Sequence, residues 1–365
     1  MVKGILLRGA VCLILLTALE MPALAGWVVA DLSPAGSNSW SYASGVYGGQ
    51  QAGYAWFGSS PHAGMWSGTA SSWVDLNPAG ATESMSYGIY AGQQVGYAIV
   101  PAGCDAGLWN GTARSWVDLS PTGSCESEAY GIYASQQVGD AYFPSPTGRL
   151  SHAGMWTGTA KSWVDLNPAG ATQSCALGNY AYQQVGWADI GDNQHAGLWT
   201  GSSRSWVDLN PYWWVHSSAA TAVYAGQQVG YADIGNYYHA GLWSGTASSW
   251  VDLNPTGACE SEALDVCAGL QAGWADADAG LWTGTASSWV NLGSFLPAGA
   301  YTFSYANAVY TSGGNTYVVG YARSSSTGLD DAVLWENIVP EPSSLLALLC
   351  GVGGALGLAR RWRRD

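Results

Sequence analysis

Between residues 27 and 338, short apolar and aromatic runs alternate with clusters of Gly, Pro, Asn, Asp and Ser, without a sustained helical period. Trp, Tyr, Val and Ile fill the runs, as a pleated, half-buried surface prefers. Turn formers separate them, as strand boundaries require. The pattern also repeats. The stretch His239-Ala-Gly-Leu-Trp-Ser-Gly-Thr-Ala-Ser-Ser-Trp-Val-Asp-Leu-Asn-Pro255 has close copies at residues 62–78, 105–121, 152–168 and 195–211, and a further copy starts at Asp278. Between copies lies a second phrase, Gln227-Gln-Val-Gly-Tyr-Ala232, with relatives at Gln50, Gln93, Gln136, Gln183 and Gln271.

Asp-Leu steps at Asp31, Asp75, Asp118, Asp165, Asp208 and Asp252, and a degenerate one at Asn291, are spaced 39 to 47 residues apart. That is the length of one four-stranded propeller blade. In the second unit the strands are predicted at residues 85–91, 94–100, 106–110 and 114–119. The second phrase reaches a seventh relative at Gly320-Tyr-Ala322, and a seventh Trp strand ends at Trp335. No Trp-Val-Asp-Leu strand follows it; the missing piece is Trp27-Val-Val-Ala-Asp-Leu32 at the other end. The expected fold is therefore all-β, a seven-bladed β-propeller in which the N-terminal strand closes the last blade. Closure leaves only short, protected edges. A β-solenoid, the alternative, has shorter rungs and no use for a split unit.

The chain divides into three parts. Residues 1–25 carry Lys3, Arg8, an apolar run from Ala10 to Leu19 and Ala23-Leu-Ala25, the layout of a cleaved secretory signal peptide, although Glu20 is unusual there. Residues 26–338 form the repeat domain. Residues 339–365 join Val339-Pro340-Glu341-Pro342 to an apolar, Gly-rich run and then Arg360-Arg361-Trp-Arg-Arg364. The apolar run is expected to form a hydrophobic helix, short for a transmembrane segment. The Arg cluster behind it would stay cytoplasmic and leave the propeller outside the inner membrane. A plain C-terminal anchor has the same layout.

The repeat domain holds five basic and 22 acidic residues, a net charge of −17. Such a surface repels phosphate backbones, which excludes nucleic acid as a partner. Export permits disulfides. Cys104 and Cys125 are expected in loops on one face and can be bridged, whereas Cys259 and Cys267 sit at opposite ends of one strand. No Cys-x-x-Cys pair supports a zinc or redox site, and no cofactor is implied.

Pro-Glu-Pro, apolar span and Arg cluster, in that order, resemble the PEP-CTERM sorting signal of Gram-negative bacteria. The resemblance covers about 25 residues. It implies processing by an exosortase near Pro340 to Pro342, transient inner-membrane anchoring, and then a cell-surface or extracellular location. It also implies association with exopolysaccharide and biofilm. The Gly-Gln-Gln-Val-Gly-Tyr, His-Ala-Gly-Leu-Trp and Asp-Leu phrases are similar to the extracellular HAF repeat. They depart from it at Gly64, Gly154, Gly197 and Gly241, where that family has an aromatic residue, and in the turn after Asp-Leu. HAF repeats imply no defined activity.

Residues present in every unit serve the fold first. Trp73, Trp116, Trp163, Trp206, Trp250 and Trp289 are expected to pack between blades, and Asp75 and its equivalents to accept amides of the next turn. His62, Asp105, His152, His195, His239, Asp278 and Asp331 occupy one repeat position. A channel-facing ring of them would bind a cation; bonding to local backbone is the favoured reading. The departures point to a site. Trp213, Trp214 and His216, in the loop after the fourth unit, and Tyr237 and Tyr238, in the next loop on that face, are expected to form an aromatic platform for sugar rings. Mutual packing of the four rings is the alternative. The expected role is a non-catalytic surface protein that binds exopolysaccharide. A lyase or glycosidase built on Asp189, Asp192 and Asp233 is the alternative.

Overall fold

The computed structural model describes residues 26–146 and 148–339. The predicted signal peptide and the sorting-signal residues Pro340, Glu341, Pro342, Arg360 and Arg361, with the expected C-terminal helix, lie outside them; Val339 is described and exposed. Among the described residues no helix is long and apolar enough to cross a membrane.

Seven four-stranded antiparallel sheets make up the propeller. Blades 1 to 6 span Ser41–Asp75, Glu83–Asp118, Glu126–Asp165, Ala171–Asp208, Ser218–Asp252 and Ser261–Asn291. Blade 7 takes three strands from Tyr301–Asn337 and its outermost strand from Trp27–Asp31, with Val29 opposite Trp335. The predicted closure is therefore observed. In each blade the first strand is innermost. The hairpin between the second and third strands and the link to the next blade fall on one face of the ring, the upper face. The other two turns fall on the lower face.

One expectation needs correcting. In blades 1 to 6 the fourth strand is only two residues long, as at Val117–Asp118, and a 3-10 turn, such as Ala113–Ser115, precedes it. The cause is the indole of Trp116, which lies flat against Gly107: a Cβ at Gly107 would meet it at 1.5 Å. The chain must fold over that glycine before it can pair, so the outer edge of these six blades stays short, which protects against edge-to-edge association.

The seams between blades carry the core. Val95, Ala106, Leu108 and Leu119 of blade 2 pack against Ala129, Ile132 and Trp156 of blade 3, and Trp163 leans on this cluster. The deepest wedges are thus the tryptophans that end the third strands, Trp66 to Trp335, all fully buried. The predicted set at Trp73 and its equivalents covers them, with ring centroids 4.4–4.7 Å apart.

A buried serine starts each inner strand and accepts an amide of the preceding blade. Ser84 accepts Ala63 N–H at 3.0 Å, and Ser127, Ser174, Ser218, Ser261 and Ser304 repeat the bond. Ser41 accepts Ala332 N–H at 2.9 Å and so joins the first blade to the last. The Ser84 hydroxyl donates to Asn77 Oδ1 at 2.7 Å, which gives the Asn after Asp-Leu its role.

Ser127→Ala leaves the Ala106 amide without a partner in a dry seam. It should lower the unfolding free energy by about 1–3 kcal/mol. Urea denaturation of both proteins checks this; equal midpoints would mean that apolar packing alone holds the seam.

Candidate functional site

The upper face carries the departures from the repeat. In the link from blade 4 to blade 5, Val215 is fully buried and its amide donates to Tyr212 O at 3.0 Å. Asn210 Nδ2 ties down the carbonyls of Tyr212 and Val215, both at 3.1 Å. A turn anchored in this way holds its tip outward. Trp213, at the tip, is 92% exposed, and Trp214 stacks on Tyr212 at 5.0 Å with 5° between the planes. His216 pairs with Asn193 Oδ1 at 3.0 Å, fixing the loop to the neighbouring hairpin of blade 4.

Tyr237 and Tyr238 are exposed on the blade 5 hairpin of the same face. Tyr238 leans on Tyr231, with centroids 4.7 Å apart. Among the described residues no ring contact joins these tyrosines to Trp213 or Trp214. The four rings do not cap one another; they form two separate aromatic patches.

The seven-membered His and Asp set does not face the channel. Each member lies on a third strand and is bound by its own blade's outer edge. His62, His152, His195 and His239 pair through Nδ1 with Asp75, Asp165, Asp208 and Asp252 at 2.7–2.8 Å. Asp105 accepts Ser120 Oγ, Asp278 accepts Asn291 Nδ2 and Asp331 accepts Ser33 Oγ. The partners are side chains rather than the local backbone expected. In blade 6 the usual edge Asp is Asn291, whose amide donates to Asp278, whereas in blades 2 and 7 Asp105 and Asp331 stand near the edge carboxylates Asp118 and Asp31. The predicted turn bond is present too, with Asp75 Oδ1 accepting Asn77 N–H at 2.7 Å.

Asp189 and Asp233 occupy equivalent places on the second strands of blades 4 and 5, and Asp192 lies in a turn. No hydrogen bond links any two of them. Burial pushes the Asp189 carboxyl up, partly offset by a hydrogen bond from Gln173.

The channel itself is lined by all seven inner strands around a cavity of about 230 Å³. At its waist the inner strands nearly touch: a Cβ at Gly178 would lie 2.8 Å from Thr221 O. Blade 6 places Asp265 at this waist position, where its carboxylate accepts Val266 N–H and Val309 N–H, both at 2.8 Å. Burial pushes Asp265 up to about 7 against those two bonds. At the lower mouth Tyr47, Tyr90, Tyr133, Tyr180 and Tyr224 follow one another at 4.5–4.9 Å, and Tyr310 joins Tyr47.

At the upper mouth, a cross-strand pair between the first two strands of each blade faces one side of its sheet. Tyr42 stacks on Tyr54 at 5.0 Å and Tyr305 on Tyr321 at 5.1 Å, while Met85 pairs with Tyr97 and Glu262 with Trp274. Aromatic contacts run on from Trp274 through Tyr305 and Tyr321 to Tyr42. Arg323 edges this arc, 4.6 Å over Phe303 and bonded twice to Asp330, which also accepts Tyr42 OH at 2.6 Å.

Blade 3 is the exception. There Glu128 stands directly opposite Asp140. Asp140 is 2% exposed; its Oδ2 accepts Ser151 Oγ at 3.0 Å, and its Oδ1 is buried without a partner. Burial pushes Asp140 up to about 7 and also raises Glu128, whose Oε2 accepts Tyr130 OH at 3.0 Å. The signal was available: Gly139-Asp140-Ala141 interrupts a phrase that elsewhere reads Gly-Tyr-Ala or Gly-Trp-Ala.

Cys104, Cys125, Cys175, Cys259 and Cys267 carry free thiols, so the bridge that the sequence allowed between Cys104 and Cys125 is not formed. Burial pushes the Cys104 thiol up to about 12, far from the reactive thiolate.

With this geometry the fold matches known structures. A crystal structure of puromycin hydrolase aligns with a TM-score of 0.55 and 12% identity over 84% of this chain and 55% of that one. A puromycin-hydrolyzing peptidase of Mycobacterium tuberculosis aligns at 0.53 and 11%, over 83% and 54%. The likeness is one of fold, and the chain spans about half the length of each of these proteins. No protein-family model and no curated protein sequence matches the chain.

Asp140, Glu262 and Asp265 all reach about 7 in the folded protein, above the ordinary carboxyl value of about 4. The folded state then holds protons that the unfolded chain has lost, so unfolding free energy should fall as pH rises from about 4 through 7. Asp265→Asn should flatten that slope. Denaturant titrations across the range test it, and a rising stability would contradict the assignment.

Proposed function

We propose that this chain is an exported surface protein that binds extracellular polysaccharide through the aromatic side chains of its upper face without transforming it. The observation that carries this is Trp213, 92% exposed at the tip of an anchored turn and beside the stacked Tyr212–Trp214 pair. A large ring held in water by a rigid loop is costly for a fold and useful for a contact, because stacking on a sugar face then loses little side-chain entropy. Tyr237 and Tyr238 would add a second contact along the same face. Export through residues 1–25 and processing by an exosortase at the 339–365 tail, with its expected transmembrane segment, supply the location.

Cleavage of the polysaccharide is a second reading. Glu128 and Asp140, set opposite each other at the channel mouth, favour it over the Asp189, Asp192 and Asp233 set.

Trp213→Ala and Trp214→Ala together should weaken retention by the producing organism's exopolysaccharide at least tenfold, with unchanged unfolding midpoints. Affinity electrophoresis measures retention; undiminished binding would remove the aromatic loop from the contact. Reducing ends and unsaturated sugar are read in the same mixtures, and either product would replace the binding reading with the cleaving one. Intact mass of the secreted protein checks processing: the expected species begins at Gly26 and ends between Val339 and Pro342.

A further inference from the structure

Among the described residues six acids have a basic partner: Asp330 has Arg323, Glu126 has Arg149, and Asp75, Asp165, Asp208 and Asp252 have histidines. The Glu128–Asp140 pair has none. Among the described residues no Lys, Arg or His reaches either carboxyl, and Asp140 Oδ1 is buried without a hydrogen-bond partner. Like charges directly opposite on one sheet face destabilise the sheet, and the six other blades avoid them at this level. The surrounding walls are phenolic. Tyr87 stacks on Tyr130 at 5.3 Å and lies 6.0 Å from Tyr97. The Tyr130 hydroxyl donates to Glu128, and Tyr87 and Tyr130 also line the cavity of the channel. A site with surplus negative charge, phenolic walls and no internal cation is built for an organic cation, which aromatic surfaces and carboxylates attract together.

We propose that Glu128 and Asp140, with Tyr87 and Tyr130, form a subsite at the upper mouth of the channel for a primary ammonium group. Glu128 is half-buried and meets the ligand, while Asp140 behind it supplies the second charge. Either an amino sugar of a glycan or a linear polyamine presents this chemistry. The amino sugar as carrier rests on the glycan-binding reading; ammonium recognition itself does not.

Protons report on the site. The groups facing the pair are Glu126, the phenols of Tyr87, Tyr97, Tyr130 and Tyr142, the half-buried thiol of Cys104 and the buried thiol of Cys175. None of these groups brings positive charge. With Asp140 at about 7, the empty pair holds a proton near neutrality that a bound ammonium displaces. Binding should therefore release protons at pH 7 and weaken as pH falls below that value.

The experiment is calorimetric titration of the full chain, in two buffers of different ionisation enthalpy, with glucosamine oligomers, N-acetylglucosamine oligomers of equal length, spermidine and calcium chloride. Glucosamine oligomers or spermidine should bind with proton release, and the acetylated oligomers should not. Glu128→Gln should weaken that binding about tenfold, and Asp140→Asn should abolish the proton release. Glu262→Gln, across the mouth, should leave both unchanged. Equal binding of the acetylated oligomers, calcium binding without amine binding, or full affinity in Glu128→Gln overturns the proposal. Trp213→Ala separates the two ideas: loss of polymer retention with amine binding intact supports both. Binding of spermidine alone keeps the ammonium site and assigns it to a free amine.

Discussion

A ring of seven sheets is only as sound as its seams, and in this protein every seam is closed by the same buried bond from a third-strand amide to an inner-strand serine. Each bond connects two blades that lack a shared backbone ladder, so the serine does between sheets what paired strands do within them. The Ser41 to Ala332 bond is chemically identical to the others although 291 residues separate its ends. The outermost strand of blade 7, taken from the N-terminus, adds a backbone ladder that ties the start of the chain to its last blade. Closure thus depends on one small polar group, dry and fully satisfied, repeated seven times. Buried hydrogen bonds that are complete specify a single arrangement where apolar packing alone would tolerate slippage.

Around that bond the remaining repeat residues fall into place. Tryptophans wedge the seams, glycines admit the covering indoles, and the second Gln of the Gln-Gln phrase ties lower-face turns together: Gln94 Oε1 accepts Gly111 N–H at 3.0 Å and its Nε2 donates to Gly92 O at 2.8 Å. The His–Asp pairs belong to this inventory. Their chemistry looks functional in isolation, but with both partners inside one blade edge and away from the channel they fix loop geometry.

Chemistry that the fold does not need is gathered on the upper face. There the anchored turn exposes Trp213, the hairpin of blade 5 exposes Tyr237 and Tyr238, and the mouth holds an aromatic arc on one side and an unpaired acid pair on the other. Two different recognition surfaces, one for flat apolar faces and one for positive charge, would suit a polymer that carries both. The strongly acidic repeat domain supports the same preference, since it repels anionic polymers over a Debye length and draws cationic ones.

The sequence by itself determined the architecture. Its period set the blade, the count set seven, and the split unit at Trp27 set the closure, because an incomplete last blade is completed only when the two ends of the repeat meet. It also placed the Trp213 loop and the Tyr237 hairpin on one side, since alternating strand directions leave no other choice. It could not show that the two patches stay apart, that the fourth strand shrinks to two residues, or that the His and Asp set turns outward. Those outcomes depend on which side chains meet across a seam, and distance along the chain does not encode that. Asp140 is the clearest case. It is visible in the sequence as one odd letter, but it becomes a buried carboxyl without a cation only when the fold seats it in the seam and the register of blade 3 sets it opposite Glu128.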